Sequence, residues 1–330
     1  MLYFLLLILI IANIFWGSIS IPVPEILGAL VGTDVSGSVH LIVFQCRIPE
    51  LVVAILAGGA LGVSGLVMQT IFSNPLAEPS LLGVNSGASL GVAIALLFYG
   101  GAFTFGDFTL SGFLFVLLCA FLGAIAVILV LTLCSALMRS RLHLLVTGVM
   151  LSFVLSSFIS ILNFFAGAEG IRSYVVWGMG TFSSVSLERL PLFTVIVLCG
   201  TIGVFLMSKS LNALLLGETY ARNLGIRISV SRTFLLGCVG LLTAVVTAFC
   251  GPISFIGLAV PHAMRWIYRT SCHKRLIPSC FIGGAIVALA CNLLAHSVGD
   301  LGVLPINTLT PLLGAPVVLL LLWKGTSNGE

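Results

Sequence analysis

The chain has 330 residues, 59% of them hydrophobic and only 7% charged, and a formal net charge of +4. Its mean hydropathy is +1.25. A soluble domain carries about 25% charged residues, so composition excludes a soluble all-α protein, and the small, dispersed Lys/Arg excess gives no footprint for nucleic acid. One membrane domain of about eight to ten spans would use nearly the whole chain.

In chain order, the first apolar run is residues 2–19. No basic residue precedes it and no small-residue cleavage site follows it, so a retained helix is expected and not a cleaved signal. Residues 21–44 read as a more polar connection, with Pro22, Pro24, Glu25 and Asp34. The second span is 51–71, twenty-one residues without a charge. At about 1.5 Å per residue that is roughly 31 Å of helix, enough for a hydrocarbon core of about 30 Å. The run then breaks at Ser73-Asn74-Pro75-Leu76-Ala77-Glu78-Pro79. Two prolines and a carboxylate cannot continue a lipid-facing helix, so a turn or re-entrant segment packed within protein is expected. A third span covers 82–98, in which Gly83, Gly87 and Gly91 share one helix face and permit close packing.

Residues 100–109 read as a Gly-rich loop carrying Asp107, and 110–137 as the fourth span. A basic turn with Arg139, Arg141 and His143 precedes the fifth, 144–165. A loop containing Glu169, Arg172, Trp177, Glu188 and Arg189 leads to the sixth, 190–207. Residues 209–232 are the most polar part of the chain, before a seventh span at 233–250. Gly251-Pro252-Ile253-Ser254-Phe255-Ile256-Gly257 forms a second break, followed by a short eighth span to Trp266 that contains Pro261 and His262. A second basic loop, the ninth span at 276–296, a loop at 300–305 and the tenth span at 308–323 complete the chain.

The fold expected is therefore an all-α polytopic membrane protein with a single domain over residues 1–330 and about ten transmembrane helices. If the N-terminus is cytoplasmic, eleven of the fourteen Lys and Arg residues fall inside and only Arg47, Arg172 and Arg189 outside. That bias places both termini in the cytoplasm. It makes the first break cytoplasmic and the second external. The breaks follow the second and seventh spans, and five is odd, so the chain divides into two inverted five-helix halves. Interrupted segments at corresponding positions of two halves point to a transport path. The central spans carry almost no ionisable residues, which counts against an ion-coupled secondary transporter. An integral membrane enzyme would need a catalytic cluster, and the sequence offers none.

Five stretches carry a resemblance. They are Arg47-Ile48-Pro49; Gly65-Leu66-Val67-Met68-Gln69 through Asn74-Pro75-Leu76-Ala77-Glu78-Pro79 to Leu82-Gly83-Val84; Gly217-Glu218 through Ala221-Arg222 to Leu224-Gly225; Gly251-Pro252-Ile253 through Phe255-Ile256-Gly257-Leu258 to Pro261-His262; and Leu312-Leu313-Gly314-Ala315-Pro316. In this order and spacing the chain resembles, over nearly its whole length, the permease subunits of the ABC importers for iron chelates and cobalamin, the FecCD family. The resemblance implies a second permease copy (the same chain or a paralogue), two cytoplasmic ATPase subunits, an external substrate-binding protein and a bacterial inner-membrane location. It implies a ferric siderophore as cargo, with cobalamin or haem as alternatives, and a pore lined by small and apolar residues.

No G-x-x-x-x-G-K-[ST] loop occurs, so ATP hydrolysis is expected on the partner ATPase, with ATP and Mg bound there and no cofactor on this chain. Residues 215–227 suit either a short docking helix, with Glu218 and Arg222 paired at i,i+4, or a solvated loop. The resemblance places the ATPase-coupling helix here, at Gly217, Glu218, Ala221, Arg222, Leu224 and Gly225. It also places binding-protein docking at Arg47 and at the position of His296, and a cytoplasmic gate at Ser140-Arg141-Leu142-His143. Two positive-inside anchors would equally account for Arg139 and Arg141. The chain departs from the family pattern at Glu50, where a second Arg is frequent, at His296, where Arg is expected, and at Val303, which replaces a Glu. His262 has no second His at i+3 or i+4, so no helix-borne metal pair is expected. The nine cysteines form no C-x-x-C pair and read as small apolar residues.

Overall fold

A computed structural model of the chain describes residues 2–32, 36–105, 108–137, 141–297 and 302–327. Helix α1 (Leu2–Phe15) answers the first span. The connection read at 21–44 is itself helical: α2 (Val23–Val31) starts on Pro22–Pro24 and stops at Gly32, whose φ of 81° only glycine adopts freely. The short α3 (Gly37–Leu41) runs through a π-helical turn, Ile42–Arg47, into α4 (Ile48–Phe72). Helix α4 is apolar all round and 89% of its most apolar stretch is buried, so it is the central pillar and not a lipid-facing helix. It ends at Ser73 in a left-handed conformation, the first residue of the expected break.

A 3₁₀ turn, Pro79–Leu82, leads to α5 (Val84–Ala93), which continues as a π-helical turn over Ile94–Phe98. The segment read as a Gly-rich loop is a small antiparallel hairpin, β1 (Ala102–Phe105) with β2 (Phe108–Ser111). Then come α6 (Phe113–Leu137), α7 (Arg141–Phe165) and α8 (Ala168–Gly178), the last lying where a loop was expected. Helix α9 (Leu190–Leu206) bends by 51° into α10 (Ser208–Leu215), and α11 (Glu218–Asn223) follows. The remaining helices are α12 (Ile228–Cys250), α13 (Ile256–Tyr268), α14 (His273–Ala295) and α15 (Ile306–Ser327). Each of the ten expected spans is thus met by a helix. Among the described residues, five of them, α4, α6, α7, α12 and α14, are long and apolar enough to cross a bilayer alone, and α9 with α10 makes a sixth. The chain is an all-α polytopic membrane protein, with the hairpin as a small exception.

Packing shows how the halves correspond. One half is α1, α4, α5, α6 and α7, the other α9, α12, α13, α14 and α15. Helix α4 packs on α14, and its counterpart α12 packs on α6. The pairs α5–α6, α4–α13 and α5–α7 recur as α13–α14, α12–α5 and α13–α15. These contacts rest on small residues, because without a hydrophobic drive between helices only close approach gains dispersion energy. A Cβ on Gly58 or Gly284 would strike the other's backbone where α4 crosses α14, and Gly87 and Gly123 stand in the same relation where α5 crosses α6. Gly91 packs on the Cys119 backbone, as the shared glycine face predicts, but Gly83 does not belong to it. Its φ of 81° makes it the turn between the 3₁₀ segment and α5, and it approaches Gly148 and Ser152 of α7.

The two breaks do not lie at opposite faces. Glu78 of the first accepts a hydrogen bond from the Phe255 backbone N–H of the second, and another from the Ser80 hydroxyl. Gly257 packs directly on Gly65 of α4, seven residues, or about 10 Å, inside that helix's end. Both breaks therefore dip toward the middle of the bundle and meet there, a contact that the reading of the two as separate turns did not foresee. The short α13 fits this: its 13 residues span only about 20 Å, less than a full crossing.

Candidate functional site

The segment expected to couple to an ATPase is built outward from α10. Leu211, Ala213 and Leu214 are buried and fix α10 to the bundle. Gly217 (φ 106°) and Gly225 (φ 78°) turn the chain at either end of α11, conformations that only glycine takes without strain. Ala221 is fully buried beneath α11, and its carbonyl accepts from the Ile226 N–H, closing the segment on itself. Arg222 and Leu224 are exposed, as are Leu215, Leu216 and Tyr220. A two-turn element thus presents an apolar, partly basic ridge. The ion pair that the structure gives Glu218 is not the expected one with Arg222: its carboxylate meets Arg232 of α12 at 2.7 Å. That side chain is buried, so the pair pins α11 to the first turn of α12 instead of stiffening α11 from within.

At the end of the bundle where α1 stops, Arg47 turns inward. Its guanidinium donates to the carbonyls of Ile14 (2.7 Å), Phe15 (3.2 Å) and Ile19 (2.6 Å). A cation here satisfies carbonyls that a helix C-terminus leaves open and complements its dipole. His296 is 8% exposed; its Nε2 lies 2.8 Å from Glu50 Oε1 and its Nδ1 2.7 Å from Ser18 Oγ. The two departures from the family pattern thus face each other: an acid stands where one Arg is frequent and a histidine where another is expected. Neither Arg47 nor His296 presents a free cation in this conformation, which corrects the expected docking geometry. The surface above them is a recess of about 380 Å³ lined by Trp16, Ser18, Ser20, Ile21, His296 and Ser297, and Val303 is exposed.

The residues read as structural breaks lie between helices in the first case and ahead of and within α13 in the second. Asn74 Oδ1 accepts from the Leu76 N–H, an Asx turn that redirects the chain before Pro75. Pro79 opens the 3₁₀ turn, where its missing N–H costs nothing. Glu78 is 7% exposed. In the second break Gly251 (φ 79°) lies against the Trp177 carbonyl and is followed by Pro252, and Phe255 holds a left-handed φ of 68°. That conformation is uncommon and costly for a bulky residue, and it aims the Phe255 N–H at Glu78. Pro261 is buried inside α13. His262 is a packed residue, with Nδ1 2.9 Å from the Leu258 carbonyl, and no group of three or more potential metal ligands occurs among the described residues.

Of the expected gate, Ser140 lies outside the described residues. Arg141 and Leu142 begin α7, and His143 is exposed. The sequence reading placed α7 as the fifth span but missed its exposed polar face. Only 11% of its most apolar stretch is buried, yet Ser156, Ser157 and Ser160 are exposed on it. The Ser157 and Ser160 hydroxyls donate to the Phe153 and Ser156 carbonyls one turn back, so they tolerate apolar surroundings and leave a finely polar surface. Three serines within five residues of an apolar run were the available signal.

Comparison with known proteins settles the family. Residues 5–324 match the profile of the FecCD transport family. The chain belongs to the FecCD transport family. FecCD relatives at 35% and 36% identity include the vitamin B12 import system permeases of Klebsiella pneumoniae, over 90% of this chain and 87% of that one, and Salmonella paratyphi A, over 89% and 87%. A solved inward-facing ABC transporter of the metal-chelate type superposes with a TM-score of 0.84 at 30% identity, covering 98% of both chains. PsaBC from Streptococcus pneumoniae shares the fold alone, with a TM-score of 0.58 at 16% identity. The FecCD chain described here is the membrane-spanning permease of an ABC importer, and the family is not one of enzymes.

Proposed function

We propose that this permease carries a large metal chelate inward by ATP-driven alternating access, with a corrinoid the first cargo to test and a ferric siderophore the second. The order follows the relatives, which are named for vitamin B12. The resemblance alone had favoured the siderophore; haem remains a third arm. The observation that carries the mechanism is the meeting of the two breaks at Glu78 and Phe255. A bundle whose halves interlock through two interrupted segments can rock about that contact without breaking a continuous helix.

The partners follow from the geometry and from the family. The charge bias puts both termini and the α10–α11 ridge in the cytoplasm, where Glu218, Arg222 and Leu224 meet one ATPase subunit that binds ATP and Mg. The recess beside Trp16 and His296 then faces outward, toward a substrate-binding protein. With most of α7 unburied, a second permease copy completes the path between the two α7 helices, and Ser140, Arg141, Leu142 and His143 guard its inner end. Residues such as Ser156 and Ser160 contact passing cargo without holding it. The test is uptake into proteoliposomes holding the chain with the ATPase and binding protein encoded beside it, supplied with cobalamin, ferric siderophore or haem. ATP-dependent accumulation of one of them is expected. Accumulation driven by an ion gradient without ATP would sink the reading.

A further inference from the structure

The inner end of α4 is joined to the coupling segment by a buried polar junction that spans and breaks do not account for. His273, the first residue of α14, is fully buried. Its Nε2 lies 2.8 Å from Thr70 Oγ1 in the last turn of α4, and its Nδ1 lies 2.9 Å from Asn212 Oδ1 in α10. The His273 backbone N–H donates to the same Asn212 oxygen at 2.8 Å. With an amide oxygen as acceptor, the imidazole carries its proton on Nδ1 and Nε2 is an acceptor; the Thr70 hydroxyl, which also donates to the Leu66 carbonyl at 2.8 Å, divides its single hydrogen between that oxygen and Nε2.

The next residue along α4 is clamped as well. Gln69 Oε1 accepts from Arg265 of α13 at 2.6 Å, and its Nε2 donates to the Leu258 carbonyl at 3.2 Å. Two successive side chains thus tie the end of α4 to α13 and α14, directly before the chain leaves for the first break. An apolar trio of the same volume would avoid the cost of burying these groups. What the polar version adds is direction: the junction holds only while α10, α14 and α4 keep one relative placement. The Glu218–Arg232 pair leads elsewhere, to α12, so the coupling segment has two separate ties into the bundle.

We propose that Asn212, His273 and Thr70 are positioning residues that carry displacement of the coupling segment to the inner end of α4, and so to the first break. This rests on the importer reading above. Uptake and ATP hydrolysis are measured together in proteoliposomes for wild type, Thr70→Val, Asn212→Leu, His273→Leu, His273→Gln and the Thr70→Val/Asn212→Leu double variant. Uptake per ATP hydrolysed should fall about tenfold in each variant that removes a contact, while the ATPase subunits still co-purify with the chain. The double variant should be no worse than the worse single, and His273→Gln should recover part of the loss. An unchanged ratio of uptake to hydrolysis, or losses that add in the double variant, overturns the proposal. Thr70→Val keeps the shape of threonine, so it decides the matter even if the leucine variants fail to assemble. Failure of the wild type to accumulate cargo with ATP would refute the importer reading, before any variant is compared.

Discussion

At Glu78 a carboxylate sits inside the bundle with the Phe255 N–H and the Ser80 hydroxyl on its oxygens. Glu78→Ala would take the acceptor from two part-buried donors, at about 1–3 kcal/mol in all. Glu78→Gln keeps a carbonyl and should be milder. Thermal unfolding in detergent should rank wild type above Gln and Gln above Ala; equal midpoints for Ala and wild type would remove Glu78 from the contact between the breaks. At the proposed coupling segment, Glu218→Ala strands the buried Arg232 guanidinium and should cost more uptake than Arg222→Ala, by about tenfold. Equal losses, measured as initial uptake rates, would return Arg222 to the role first expected of it. Sequence reading picked out Glu78, Glu218 and Arg47 but not their partners. Backbone N–H and C=O groups carry no signature in the sequence, and Arg232 lies fourteen residues from Glu218, beyond any local rule.

The long helices were legible because a charge-free run has few ways to satisfy its backbone in a bilayer other than as a helix. Helices α2 and α3 were not. Pro22, Pro24 and Glu25 read as a loop, yet prolines at the first turn of a helix cost nothing, and Ile26, Ala29, Val39 and Val43 form a small core of their own. The breaks were legible as breaks. Their meeting was not, because it depends on how far each dips between packed helices. Packing of α4 against α13 gives a direct test. Gly65→Ala should lower the unfolding midpoint by several degrees, as overpacking costs about 1–3 kcal/mol, whereas Gly237→Ala, whose Cβ would meet nothing within 4 Å, should not. Matching midpoints for the two variants would contradict the close crossing.

For the whole molecule, the helices differ in how much they bury. The most apolar stretches of α4 and α12 are 89% and 72% buried, that of α7 only 11%. Paired cysteines on the two copies test the arrangement, one at Ser160 on each α7. Oxidative crosslinking between copies in native membranes is expected at Ser160→Cys and not at Val195→Cys on the exposed side of α9. The reverse pattern would move the second copy to the other half. Composition announced a membrane bundle and matched breaks announced two halves; only the three serines of the apolar α7 run mark which helix is left uncovered.

Gly58, Gly65, Gly87 and Gly284 stand where two backbones touch with no room for a carbon between them. Every missense codon reachable from a glycine codon adds at least that carbon. At these sites the genetic code therefore offers no gentle step: a base change is either silent or intrusive. Residues with the least chemistry become the least free to drift, while bulky exposed positions such as Leu192 or Ile202 on α9 can exchange freely among apolar neighbours. A saturation library selected for uptake would show the crossings as narrow rows of intolerance, spaced one helical turn apart, in a broadly permissive chain.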